Sequence, residues 1–368
     1  MHMDSVESAG GRLGAVLSAP RTGACALGRF GPWVVTTPTL AREVLTDPAR
    51  FDFPSDVSRT GDLTGSTGDT RSGHLVFAAL TPAQVSVGRD TFTSEWARAV
   101  LEHDRARSGA PYDAMELLRR PVGRATTAAS LPSLGPDDRD AVAEAVLDWI
   151  DTLGPVIAAR RPPGRWSRSR RAEQRARDAL DDLLGSLDAV ERPAELATFL
   201  AAGIQVPIAA GAFLLALLGD HPTGDVDPVD AVWETLRLTP PTWITARITV
   251  TDVELGGTSI PTGSVVMVSP LLLGRLEELV PGDPDGLSGF DPSRWQDGDR
   301  RPGAWLPFGA GPHACPGRTL GLAVLTALAQ WGVAREITLS ERVRIDQSRG
   351  IFPQPCRFTA VPRTEPTP

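Results

Sequence analysis

The chain has 368 residues, 45 acidic against 37 basic side chains, and a formal net charge of -8. That balance excludes a general nucleic-acid binder, and the composition fits a globular protein. The length exceeds the usual single domain, although one large core is possible. Three widely spaced cysteines make no disulfide framework, and every basic side chain other than histidine is arginine. Met1 to Phe30 lacks the charged start, apolar run and small-residue cleavage site of a leader, so a cytoplasmic protein is expected.

Cys25 to Phe30 and Trp33 to Thr36, joined at Gly31-Pro32, read as a hairpin, followed by a short helix from Pro38 to Leu45 that Asp47-Pro48 closes. Phe51 to Gly73 is rich in Gly, Ser, Thr and Asp, and a loop and a disordered linker stand as equal readings. Thr81-Pro82 starts another helix. Pro121 to Leu184 reads as helices broken by Pro132, Gly135-Pro136, Gly154-Pro155 and Pro162-Pro163-Gly164. Arg160 to Arg177 carries eight arginines. An exposed helix start balanced by Asp178, Asp181 and Asp182 is favoured there over a basic patch for an acidic partner.

Phe199 to Leu218 has the length of a membrane span, about twenty mostly apolar residues. It contains Gln205, Pro207 and glycines and has no aromatic or basic flanks, so a buried helix is expected and no membrane partner. Val232 to Leu238 places Glu234 and Arg237 three apart on one helix face, among the apolar neighbours Trp233, Leu236 and Leu238. Thr251 to Gly257 and Ile260 to Val266 alternate around Gly256-Gly257 as a hairpin.

The most informative stretch runs from Pro307 to Gly317. It sets Cys315 in a turn built of glycines, prolines and Phe308. Gly311 and Gly317 let backbone approach a flat ligand or take positive φ, and Pro312 and Pro316 stiffen the loop. Phe308 can pack over the sulfur. The apolar helix from Leu320 to Trp331 follows, and its N-terminus favours a thiolate. A thiolate in such a loop suits the axial position of a haem iron. The alternative, a buried structural cysteine, is the better reading for Cys25 and Cys356.

Phe308-x-x-Gly311-x-x-x-Cys315-x-Gly317 resembles the haem-thiolate loop of cytochromes P450. Glu234-x-x-Arg237 and the later Phe290 to Trp295 segment with Arg294 resemble that family's structural network. The hairpin and helix over 22–53 resemble its first sheet and helix. The resemblance implies one domain over 1–368, mainly α with a smaller β region, in the cytochrome P450 fold. Its marked segments are 195–218, 229–239 and 305–331. It implies haem b as cofactor, with Arg247 and His313 at propionate-binding positions. In the family another helix carries a propionate-binding histidine and arginine. Gln84 and Gly88 stand at the corresponding positions here, with Arg89 next door as a substitute. Trp243 and Ile244 would face the substrate, Trp243 more as packing than as a cage.

The helix from Glu195 to Leu218 resembles the family's long central helix, which crosses the open haem face. An acid and an alcohol usually stand there and deliver protons to bound dioxygen. This chain reads Ala202-Gly203-Ile204-Gln205-Val206-Pro207, placing Gln205 at the acid position and Val206 at the alcohol position, beside Gly203. Gln hydrogen-bonds but does not cycle a proton, and Val does neither. Pro207 should kink the helix. Two readings stand near evenly: water or substrate supplies the protons, or the chemistry (peroxide use, coupling, rearrangement, group transfer) needs no relay.

The expected function is a haem-thiolate oxidoreductase acting on a small specialised metabolite, with electrons from a separate ferredoxin or flavoprotein reductase. The alternative is a catalytically silent relative that binds a partner such as a glycosyltransferase.

Overall fold

The computed structural model describes all residues except 1, 30, 53–76, 160, 162, 222–225, 284–285, 297–300, 349 and 364–368. In chain order, α1 (Gly11–Leu17) precedes β1 (Ala24–Ala26) and β2 (Trp33–Val35), which pair antiparallel with Cys25 opposite Val34. This is the expected hairpin. Helix α2 (Pro38–Thr46) and β3 (Phe51–Asp52) follow, and most of the Phe51 to Gly73 loop lies outside the described residues. Helix α3 (Pro82–Ala106) opens with a reciprocal cap. The Gln84 amide N–H donates to Thr81 Oγ1 at 3.3 Å, and the Thr81 N–H donates to Gln84 Oε1 at 2.9 Å. Two otherwise orphaned backbone donors are satisfied this way.

Strand β4 (Tyr112–Asp113) leads into α4 (Ala114–Leu117), α5 (Arg119–Ser130), α6 (Pro136–Ala158) and α7 (Arg168–Gly185). Pro132 and Gly135-Pro136 separate helices as expected, but Gly154-Pro155 does not, because α6 runs on to Ala158. Pro155 removes only its own N–H, about one turn from the helix end, while Ile150 and Val156 stay buried on either side. Then come α8 (Pro193–Asp220), α9 (Pro228–Leu238), β5 (Thr245–Thr249), β6 (Val253–Leu255), β7 (Thr258–Ile260), β8 (Val265–Val268), α10 (Pro270–Leu273) and α11 (Arg318–Val333). The chain closes with β9 (Arg335–Leu339), β10 (Ile345–Asp346), β11 (Phe352–Pro353) and β12 (Arg357–Pro362).

The predicted hairpin around Gly256-Gly257 is confined to β6 and β7, where both glycines take positive φ, 56° and 79°. Val265 to Val268 leaves it and enters the larger sheet instead. The turn from Pro261 to Ser264 redirects the chain, and the Thr249 hydroxyl, donating to the Pro261 carbonyl at 2.7 Å, fixes it.

The residues form two compact units. Unit 1 comprises 1–4, 79–235 and 317–368. Helix α8 is its core: from Ile208 to Leu218 every residue is buried. Small residues let neighbours close on it. A Cβ on Gly211 would meet Leu328 at 2.9 Å and Leu118 at 3.0 Å, and one on Gly332 would meet Leu218 at 2.8 Å. Strands β4, β12 and β9 form a sheet in the order β4-β12-β9. Helix α8 has the length and hydropathy of a membrane span, yet 72% of its most apolar window is buried in the protein, as a core helix would be.

Unit 2 comprises 5–78 and 236–316. Its five-stranded sheet has the order β1-β2-β8-β5-β3, with β2 and β8 parallel and the other pairs antiparallel. Helix α2 packs on β8 and on the short turn Gly311–His313.

Candidate active site

Within unit 2 the Cys315 loop is shaped by backbone. Leu306, Gly309 and Gly311 take positive φ of 60°, 69° and 72°. Leu306 is buried, so surrounding packing holds a backbone conformation that leucine disfavours. The Gly309 N–H donates to the Leu306 carbonyl at 3.0 Å, and the Cys315 N–H donates to the Phe308 carbonyl at 2.9 Å. A Cβ on Gly311 would lie 2.5 Å from the Leu45 carbonyl oxygen, so only glycine fits. Cys315 is exposed, and Phe308 and His313 are half-buried. Gly317 has an ordinary φ of -88° and caps α11, two residues beyond Cys315. Beneath the loop, the fully buried Trp305 donates its indole N–H to the Leu236 carbonyl at 3.3 Å and packs on Trp295.

Arg247 lies on β5, buried, and donates to the Ala246 carbonyl at 2.9 Å. Burial pulls its pKa down to about 10, partly opposed by the charge of Asp52. A guanidinium so stripped of water gains strongly from an anion. Arg237 is fully buried and donates to the carbonyls of Gly274, Leu287 and Gly289 at 3.0, 2.6 and 3.1 Å. Arg294 donates to the Pro281 carbonyl at 2.7 Å and the Gly286 carbonyl at 3.3 Å. Both arginines therefore hold irregular backbone. Trp243 is buried, its carbonyl accepting from the Ser269 hydroxyl at 2.7 Å, and Ile244 is half-buried.

Within unit 1, α8 presents Ala202 and Val206 as exposed residues, with Gly203, Gln205 and Pro207 half-buried, immediately before its wholly buried second half. The helix passes through Pro207 without interruption. Pro207 has no N–H, so the carbonyl four residues back, that of Gly203, loses its helical donor. The Thr126 hydroxyl on α5 replaces it at 3.2 Å. Gly203 allows this approach, since a Cβ there would sit 3.1 Å from the Thr126 methyl. Thr126 is a residue that sequence reasoning missed. Counting four back from Pro207 identifies the carbonyl, but nothing local identifies the donor.

Glu234 is fully buried on α9. On α3, Gln84 is committed to the helix cap, and Gly88 is a packing position where a Cβ would meet Leu320 at 2.6 Å. Arg89 is exposed and bonds Asp90 and Ser86. Cys356 donates its thiol to the Ala212 carbonyl at 3.5 Å, and burial pushes its pKa far up, as befits a structural cysteine. The arginine run divides: Arg177 is buried against Asp181 and Trp149, and Arg170 pairs with Glu173. Arg165, Arg170, Arg171, Gln174 and the exposed Trp166 line a surface cavity of about 390 Å³.

An accessible cysteine in a glycine-shaped loop and a desolvated arginine in the same unit are a donor set that fits a haem, the thiol for iron and the guanidinium for a propionate. A family model described as cytochrome P450 matches residues 229–331. Cyclooctat-9-en-7-ol 5-monooxygenase of Streptomyces melanosporofaciens is 27% identical over 82% of this chain and 81% of its own length. Pentalenene oxygenase of Streptomyces avermitilis is 37% identical over 28% of this chain and 24% of its own. The crystal structure of CYP175A1 from Thermus thermophillus shares the fold, with a TM-score of 0.72 at 22% identity, covering 96% of this chain and 95% of that one. The chain is thus similar to cytochromes P450, in sequence most clearly over residues 229–331 and in fold over nearly its whole length.

Proposed function

We propose that the chain is a haem-thiolate oxidoreductase in which Cys315 is the axial ligand of haem b. The observation that carries this reading is the exposed Cys315 in a loop that positive-φ glycines and the Cys315–Phe308 backbone bond hold open. Haem, when bound, supplies oxidative attack on an organic substrate. Arg247 would hold a propionate through its guanidinium, and His313 would support it. Glu234, Arg237 and Arg294 keep structural roles.

Gln205 orients water or a substrate hydroxyl through its amide, and Val206 offers no hydrogen-bonding group. Protons then come from solvent or from the substrate. The substrate is a small apolar metabolite of the terpenoid class, the class of the named relatives. Electrons come from a separate ferredoxin or flavoprotein reductase in the cytoplasm.

The test is absorbance of the purified protein and of its reduced carbon monoxide complex. A Soret band at the thiolate position is expected, and Cys315→Ala should lose it; an unchanged spectrum in that variant refutes the ligand assignment. Gln205→Asp with Val206→Thr should leave turnover nearly unchanged, and a large gain refutes substrate- or solvent-supplied protons. Absence of haem together with a co-purifying glycosyltransferase would favour the silent-helper reading instead.

A further inference from the structure

Within unit 1 the rings of Phe92, Trp96, Trp331, Phe358, Tyr112 and His103 form one continuous series. Phe92 stacks on Trp96 at 6.2 Å, and Trp96 meets Trp331 edge-on at 5.1 Å. Trp331 meets Phe358 at 6.4 Å, Phe358 meets Tyr112 at 5.3 Å, and Tyr112 meets His103 at 4.6 Å. Four separate segments of chain supply these rings, so no local sequence preference accounts for the series. Tyr112 is the single tyrosine of the protein. Its hydroxyl donates to Asp104 Oδ1 at 2.6 Å, and Asp104 is exposed.

The two ends differ in how they treat a proton. Trp96 is 3% exposed, and its indole N–H has no hydrogen-bond partner among the described residues. An oxidised Trp96 therefore keeps its proton and stays cationic in an apolar setting, which is costly. Arg335 lies over the face of Trp331 at 4.4 Å, so positive charge is disfavoured there too. Tyr112 alone has a carboxylate in place to take its proton. Burial, and then the hydrogen bond to Asp104, hold the neutral phenol's pKa up at about 12.

We infer that Trp96, Trp331 and Tyr112, bridged by Phe358, form a one-electron relay that carries an oxidising equivalent out of the core of unit 1 and discharges it at Tyr112, with Asp104 as proton acceptor. The balance is explicit. The Trp331 cation radical takes one electron from Tyr112, Tyr112 passes its hydroxyl proton to the Asp104 carboxylate, and the products are neutral Trp331, a neutral tyrosyl radical and a protonated Asp104. The natural oxidant is the oxidised haem centre, and for that source the relay rests on the function proposed above. The relay drains oxidising equivalents that no substrate has consumed.

The test uses the full, haem-loaded chain with two oxidants. Peroxide acts through haem, and a photo-oxidised ruthenium tris-bipyridine complex acts without it. Freeze-quench electron paramagnetic resonance should show a tyrosyl radical in both arms. Tyr112→Phe should abolish it and leave a tryptophan radical, and Trp331→Phe should largely remove the tyrosyl signal. Asp104→Asn should slow radical formation by about a hundredfold, the low end of what a positioned base contributes. A tyrosyl signal undiminished in Trp331→Phe, or none in the ruthenium arm, overturns the relay and leaves the rings as packing alone. A silent peroxide arm beside an active ruthenium arm overturns haem as the source while the relay stands.

Discussion

Thr126→Val is the sharpest perturbation of α8, because valine keeps the shape of threonine and removes only the hydroxyl. In the folded protein that hydroxyl is the donor to the Gly203 carbonyl, at 3.2 Å, in place of the N–H that Pro207 lacks. Losing it strands a carbonyl, a cost of about 1–3 kcal/mol when fully buried. Gly203 is half-buried, which puts the expected loss near the low end, about 1 kcal/mol. Pro207→Ala restores the helical N–H and, by intrinsic propensity, gains as much as about 3 kcal/mol before packing adjusts. In that background Thr126→Val should cost less than about 0.5 kcal/mol, because the carbonyl now has a donor within its own helix. The four proteins of the cycle would be unfolded in urea and followed by far-ultraviolet circular dichroism. Equal costs of Thr126→Val in the two backgrounds would refute the claim that the hydroxyl substitutes for the missing N–H.

Arg237→Met should lower the stability of unit 2 by about 3–5 kcal/mol, since it strands the carbonyls of Gly274, Leu287 and Gly289, and Arg237→Lys should recover only part. Tryptophan fluorescence during urea unfolding reads this through the Trp295–Trp305 pair. Gly311→Ala, at φ 72° and with its Cβ 2.5 Å from the Leu45 carbonyl oxygen, should cost about 1–3 kcal/mol and weaken haem retention; unaltered retention would show that the loop tolerates a side chain there. Tyr112 gives a pH signature. Its folded pKa of about 12 stands above the ordinary 10.0, so the folded protein holds this proton more tightly than the unfolded chain. Stability from this group is constant below pH 10.0 and falls as pH rises from there toward about 12, a decline that Tyr112→Phe should remove from alkaline unfolding curves.

Much of the fold was legible because its signals are local. The Gly31-Pro32 turn, the Pro38 helix start, the apolar run of α8 and the Cys315 loop each declare themselves within a short stretch of chain. Pro155 misled because the cost of a proline depends on how much helix remains beyond it, and burial sets that. Val265 to Val268 alternates as a hairpin strand would, and only tertiary pairing sends it to β2 and β5. Gln84 lies in a Thr-x-x-Gln capping pattern, a signal available in the sequence that points to helix initiation. The Thr126 hydroxyl and the aromatic series were out of reach, because each joins segments far apart in the chain.

The division of the chain has a consequence for biosynthesis. Unit 1 is assembled from the first four residues, a middle stretch and everything after residue 316, whereas unit 2 lacks nothing once residue 316 has emerged. Strands β9 and β12, which complete the β4 sheet, thus leave the ribosome only after every residue of unit 2. Until they and α11 arrive, the most apolar helix of the protein waits without the partners that cover Gly211 and Gly219. The nascent chain is therefore exposed to aggregation on the α8 side until those later segments emerge.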